Sequence, residues 1–356
     1  MDQTLGSSPT HVAAPSDRAV RARPAVVAWL FVNAAMVAAM IVIGGITRLT
    51  ESGLSMVEWR PLIGWVPPLS EADWTRVFEL YKLTPQFQQV NGWMDLEAFK
   101  TIFFWEYVHR VWGRLIGIVF ALPLAVFLVA GRIERNRLPR LLFLLALGGL
   151  QGAIGWWMVT SGLADQAMVS PYRLATHLSM AFLILGLLIW TALEIRAADH
   201  PTPGTSDRAV RIGAGHLLAL IALTIVAGAF VAGNDAGLDY NTFPLMDGRF
   251  VPDGYWDLGV AGLIENVATV QFNHRWIAMT TAALTLGFAI WARPRIPDGA
   301  KLPVTLLGAM VVLQAGIGIV TLLAVVPVWL GALHQGGAVV LFSLAVWTRF
   351  AVRSPR

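Results

Sequence analysis

The sequence predicts an all-α integral membrane protein: eight transmembrane helices arranged as two tandem, same-orientation four-helix bundles. Three observations carry this reading. The 356 residues are 56% apolar and 13% charged, with a mean hydropathy of +0.63, whereas a soluble domain carries about 25% charged residues. The remaining charges stand in short blocks between apolar runs long enough to span a bilayer. The second half of the chain also repeats the motifs of the first in unchanged order. Together these exclude a water-soluble globule, a disordered chain and a nucleic-acid binder, despite a pI near 9.7. The lack of cysteine excludes disulfides, iron–sulfur clusters, thiolate zinc sites and covalent c-type haem attachment. Any metal must be held by His, Met or carboxylate.

The spans follow in order. Span 1, about 25–46, comes after Arg18, Arg21 and Arg23; it is too long for a signal-peptide core and no small-residue cleavage pattern follows it. Span 2 covers about 102–129, and Arg132, Arg135, Arg137 and Arg140 separate it from span 3 at about 139–160. Span 4, about 172–193, leads through Arg196, Arg208 and Arg211 into span 5, about 211–232. Span 6 at about 268–292 is parted by Arg293, Arg295 and Lys301 from span 7 at about 303–325. Span 8, about 327–349, ends at Arg349, Arg353 and Arg356. Every basic cluster falls on one side, which predicts both termini in the cytoplasm and the long loops 47–101 and 233–267 in the outer compartment. The expected organisation is a cytoplasmic tail (1–24), an N-terminal bundle (25–195), a cytoplasmic linker (196–210), a C-terminal bundle (211–349) and a short cytoplasmic tail (350–356).

The repeat is visible residue by residue. Glu106-Tyr107-Val108-His109-Arg110 matches Gln271-Phe272-Asn273-His274-Arg275, the Leu150-Gln151-Gly152 run matches Leu313-Gln314-Ala315, and Ala175-Thr176-His177 matches Ala332-Leu333-His334. The offsets, His109 to His274, Gln151 to Gln314 and His177 to His334, are 165, 163 and 157 positions. Near-constant spacing in one order marks a tandem duplication. Four spans per unit insert both halves the same way up, with a symmetry axis along the membrane normal.

Of seven histidines, His11 and His200 fall in polar segments and His216 near the start of span 5 has no repeat partner, so these read as solvated or structural. His109, His177, His274 and His334 open the even-numbered spans from the outer side, at a depth of about 10 Å. One intramembrane histidine reads best as helix-to-helix hydrogen bonding; two matched pairs at one depth read better as ligands. Two nitrogen ligands without a carboxylate or thiolate set suit the axial positions of haem iron, in the pairs His109/His177 and His274/His334. Arg110 and Arg275 suit either haem propionates or a snorkelling position at the outer interface, and Arg114, one turn deeper, also needs a partner. The fifteen tryptophans fit interfacial belts.

The halves differ at one informative place. Glu106 shares a helix face with His109, and Gln271 stands at the equivalent position. A half that performs proton transfer needs the carboxylate; the alternative is that Glu106 orients an imidazole or pairs with Arg110 or Arg114. The segment Gly44–Ser55, with its weaker counterpart at Ala227-Gly228, Gly237-Leu238 and Phe243-Pro244, reads as a glycine-rich outer loop that covers a site or merely connects spans.

The Gly44–Ser55 segment, Glu106-Tyr107-Val108-His109-Arg110, the two Leu-Gln motifs and the later histidines resemble the haem A synthase family over about residues 25–350. The cysteine-free first outer loop is similar to the proteobacterial and mitochondrial branch, and a cysteine-based step is excluded here. The resemblance implies oxidation of the C8 methyl of haem O to the formyl group of haem A, through two hydroxylations and loss of water from a gem-diol. It implies haem b on His274 and His334, substrate haem at His109 and His177, and a functional role for Glu106. It also implies residence in the bacterial inner membrane, or the mitochondrial inner membrane in a eukaryote. Haem O synthase, oxidase assembly factors and a second copy of the chain are the candidate protein partners; no nucleic acid is expected. Two rivals make different demands. A di-haem b-type cytochrome exchanging electrons with quinone predicts equivalent halves, and a transporter of parallel repeats predicts helices broken at midplane.

Overall fold

The computed structural model describes residues 17–58, 64–164, 167–198 and 206–353. His11, His200, Trp59-Arg60-Pro61, Arg356, residues 1–16 of the N-terminal tail and 199–205 of the linker lie outside the described residues. Among the described residues the fold is helical and without strands. Its helices are α1 (Asp17–Leu49), α2 (Glu71–Lys82), α3 (Leu96–Val129), α4 (Leu138–Ala164), α5 (Pro171–Ala197), α6 (Arg208–Gly233), the single turn α7 (Gly262–Glu265), α8 (Val267–Ala292), α9 (Asp298–Leu323) and α10 (Val328–Ala351). The chain is a multi-pass membrane protein.

Seven of these helices, α1, α3, α4, α5, α6, α9 and α10, are long and apolar enough to cross a bilayer. The segment expected as span 6 is helical, forming α8 with 26 residues, but it is not apolar enough over bilayer length to be counted with these seven. Gln271, Asn273, His274 and Arg275 crowd its outer part, and Thr280, Thr281 and Thr285 punctuate its middle. Its polarity is partly answered within the protein: Thr281 donates to the Ile277 carbonyl at 2.7 Å and its hydroxyl lies 2.8 Å from that of Thr224 on α6.

Helix boundaries follow local chemistry. Asp95, Ser70 and Asn266 accept from the backbone N–H three residues on and so cap α3, α2 and α8. Pro171 opens α5, where a missing N–H costs nothing. Gly44 and Gly45, expected in a loop, are helical, because α1 continues to Leu49 before the chain turns. The long outer loop is also more ordered than a connector. It contains α2 and an aromatic core in which Tyr81 and Phe99 are fully buried and stack at 5.2 Å. Tyr81 donates to Gln86 at 3.0 Å and accepts from Asn91 at 2.9 Å.

Each half closes a ring of four helices. α1 packs on α3 and α5, and α4 packs on the same two; α6 packs on α8 and α10, and α9 packs on the same two. The halves meet where α1 lies on α10 and α5 lies on α6 and α10. A buried apolar cluster runs through this seam, including Leu30, Leu185, Ile221, Leu307 and Phe342. The basic segments gather at one end: Arg23 donates to the buried Glu134 at 2.6 Å, and Arg140 pairs with Glu194.

Candidate active site

The four expected ligands sit on α3, α5, α8 and α10. His177, His274 and His334 lie six or seven residues into their helices, about 9–10 Å along the axis. His109 lies thirteen residues into α3 because that helix begins inside the outer cap. Within the halves, α3 and α5 both pack on α1 and α4, and α8 and α10 both pack on α6 and α9, so each expected histidine pair lies within one set of four helices. His216 is exposed on α6, away from both pairs.

Each imidazole rests against a helical glycine of the adjoining helix. Built onto that glycine, a Cβ would stand from Cε1 of the ring at 3.1 Å for Gly44 with His109, 2.9 Å for Gly155 with His177, 3.0 Å for Gly228 with His274 and 2.8 Å for Gly318 with His334. The Nδ1 atoms of His109, His177 and His274 are buried without a hydrogen-bond partner. Among the described residues no three His, Asp or Glu side chains converge as a ligand set for a bare ion. Imidazoles held between helices against bare backbone, three of them with an unsatisfied buried nitrogen, are donors that would fit haem iron.

Gln151 and Gln314, met in the sequence only as markers of the repeat, have a structural task. Gln151 donates to the His177 carbonyl at 3.1 Å and Gln314 to the His334 carbonyl at 2.9 Å. Both amide nitrogens also approach the ring of the same histidine, at 3.4 and 3.2 Å. Their identical place in the two halves was the available signal.

The outer segments end each half in the same device, a hook. Glu51 and Asp235 both adopt a left-handed backbone, φ 52° and 51°, and each starts a short 3₁₀ turn, Ser52–Leu54 and Ala236–Leu238. Each turn docks on the histidine-bearing helix, but with opposite hydrogen-bond polarity. Glu106 is buried, and its carboxylate accepts from the Ser55 hydroxyl at 2.7 Å, the Met56 N–H at 2.6 Å and Arg110 at 2.5 Å. Gln271 instead donates its amide to the carbonyls of Ala236, at 2.6 Å, and Asp239, while accepting from Arg275 at 2.9 Å. The Glu/Gln difference thus matches a difference in what the loop offers. Glu106 bonds to the outer loop and Arg110 rather than to an imidazole.

Arg110 and Arg275 both tie down loop carbonyls. Arg110 donates to Met56 at 2.7 Å and Glu58 at 3.1 Å, and Arg275 to Thr242 at 2.6 Å and to Tyr240. Arg114 reaches the Gly64 carbonyl at 3.5 Å and lies 5.6 Å over the Trp65 ring. Arg110, Arg114 and Arg76 line an outer cavity of about 290 Å³ whose walls include Leu69, Val77 and Phe103.

The family model described as cytochrome oxidase assembly protein (COX15-CtaA) matches residues 27–346, a stretch that contains all four histidines, both glutamines and both hooks. The chain belongs to that family. Among its relatives, the haem A synthase of Rhodospirillum centenum is 49% identical over 347 residues, covering 96% of this chain and 92% of the relative. That of Granulibacter bethesdensis is 48% identical over 337 residues, covering 94% and 88%. That of Caulobacter vibrioides is 48% identical over 342 residues, covering 95% and 98%.

Proposed function

We propose that this protein is a haem A synthase, oxidising the C8 methyl of haem O to the formyl group of haem A for terminal oxidase assembly. The observation that carries the reading is two equivalent histidine pairs of which only one half sets a carboxylate one helical turn away. The contact rings support eight spans in two same-orientation bundles, with residues 25–195 and 211–349 as the halves. The basic clusters support a bacterial inner-membrane location with both termini cytoplasmic and the histidines in the outer half.

In this reading His274 and His334 would hold haem b, which when bound supplies electrons for the oxidation at the other half. His109 and His177 bind the substrate haem between α3 and α5. Glu106 serves as the proton-accepting group of that half, and Ser55, Met56 and Arg110 hold its carboxylate in one orientation. Arg110 and Arg275 fix the outer hooks over the two sites and exclude water. α3 and α4 pack less extensively than their counterparts α8 and α9, which favours the first half for lateral entry of a prenylated substrate from lipid. Haem O synthase, oxidase assembly factors and a second copy of the chain remain the proposed protein partners.

The test is to purify the protein, extract its pigment and quantify haems B, O and A. Haem B with O and A supports the synthase, whereas haem B alone supports a di-haem cytochrome working with quinone. His274→Ala and His334→Ala should each remove or loosen haem b; unchanged haem content and spectra in both would overturn the cofactor assignment.

A further inference from the structure

We infer that Gly44, Gly155, Gly228 and Gly318 are positioning residues that set where the four imidazoles stand. This rests on the reading of those histidines as haem ligands, and it assigns a role to residues outside the ligand set. The first helix of each half supplies the glycine for the histidine of the second, Gly44 on α1 for His109 and Gly228 on α6 for His274. The third supplies it for the fourth, Gly155 on α4 for His177 and Gly318 on α9 for His334. The relation is therefore duplicated with the chain.

The physical argument turns on which ring atom is touched. Cε1 lies between the two imidazole nitrogens, so moving it displaces both, whichever one faces the iron. Real Cβ atoms essentially never stand closer than 3.0 Å, as they would at Gly155 and Gly318, and contacts of 3.0–3.4 Å, as at Gly44 and Gly228, are tighter than nine in ten, so the ring must give by a few tenths of an ångström. Here the wall is helical backbone, which yields less readily than a side chain, so an added methyl must push the ring. Glycine is an otherwise unfavourable residue in a helix interior. An alanine at these positions should stabilise the helix unless the space beside the ring is needed. That opposes the two explanations in sign.

Other helical glycines provide controls. Gly287 on α8 and Gly316 on α9 would place a Cβ with nothing within 4 Å. The experiment uses the full chain purified in detergent with its native haem. It compares Gly228→Ala and Gly318→Ala with Gly287→Ala and Gly316→Ala by haem b per protein, by the low-spin optical bands and by thermal unfolding. The first two should lose haem b occupancy about 10-fold or shift the low-spin bands, as expected when support around a metal ligand is lost. The controls should keep haem b and unfold at the same or a higher temperature. Gly228→Ala carries the milder overlap, 3.0 Å against 2.8 Å, so a monodisperse Gly228→Ala protein separates loss of haem from loss of fold. Normal haem b content and spectra in both cradle variants would overturn the inference. His274→Ala separates the two levels: if it loses haem b while the glycine variants do not, only the glycine role fails. If it keeps haem b, the ligand reading itself fails.

Discussion

Arg48 and Asp235 join the two halves of the chain at their outer ends: one guanidinium nitrogen of Arg48 lies 2.7 Å from each carboxylate oxygen of Asp235. Asp235 is the left-handed residue that opens the second hook, and Arg48 precedes by three residues the one that opens the first, Glu51. The ion pair therefore locks one hook to the other. Gln335 on α10 reinforces the same seam by donating to the Ile41 carbonyl of α1 at 2.6 Å.

The two side chains are 22% and 36% exposed, so screening keeps the pair's worth to about 1 kcal/mol. Arg48→Ala and Asp235→Ala should each lower the unfolding temperature by a similar amount, and the double variant by less than their sum. Exchanging the charges, Arg48→Asp with Asp235→Arg, should recover part of the loss. Strictly additive single losses in a thermal double-mutant cycle would show that the halves are not coupled here.

A second prediction concerns the outer cap. Burial pushes the Tyr81 phenol above its ordinary value of 10.0. A group whose pKa is raised on folding contributes stability that is complete below its unfolded value and is lost as pH rises through the folded one. The cap should therefore loosen above about pH 10, while the membrane helices persist. Hydrogen exchange over residues 71–99 at increasing pH measures this. Tyr81→Phe should flatten the dependence while costing the bonds with Gln86 and Asn91, and an unchanged alkaline profile in that variant would exclude Tyr81 as the group responsible.

The long helices were legible because bilayer-length apolar runs have few alternatives. Each expected span falls on a helix, seven of them long and apolar enough to cross a bilayer, but α1, α3 and α9 start earlier than expected, at Asp17, Leu96 and Asp298, where polar turns outside the apolar runs continue the helix. α8 shows the limit of the apolar criterion, since the residues that make it interesting, Gln271 to Arg275, also make it less apolar. The four histidines stood out through duplication, and each lies on a long helix. What stayed hidden was pairwise. That Gly44 faces His109, that Gln314 reaches the His334 carbonyl, or that Glu106 meets loop donors and Gln271 loop acceptors depends on helix rotation and loop path. A one-dimensional pattern fixes neither.

The sharpest prediction uses that inversion of polarity. Glu106→Gln keeps size, yet its amide has one accepting oxygen where the carboxylate has two. If the oxygen meets Ser55 and Met56, the NH₂ faces the Arg110 guanidinium, donor against donor. The variant thus removes both the proposed proton acceptor and an anchor, and a second variant is needed to separate them. Ser55→Ala removes one anchoring bond, 2.7 Å long, and keeps the carboxylate; a hydrogen bond to a charged group contributes about 1.5–3 kcal/mol. Loss of a general acid or base costs about 10²–10⁴-fold in rate. Haem extraction from cells expressing each variant should show haem A nearly abolished and haem O accumulating with Glu106→Gln, a smaller loss with Ser55→Ala, and haem b retained in both. Equal losses would make Glu106 an anchor of the outer loop and end its proton-transfer role. The reciprocal Gln271→Glu places a carboxylate against the Ala236 and Asp239 carbonyls, leaving a buried charge facing acceptors at a cost of several kcal/mol. It should therefore loosen the second hook and lower haem b occupancy, and it should not create a second oxidising half.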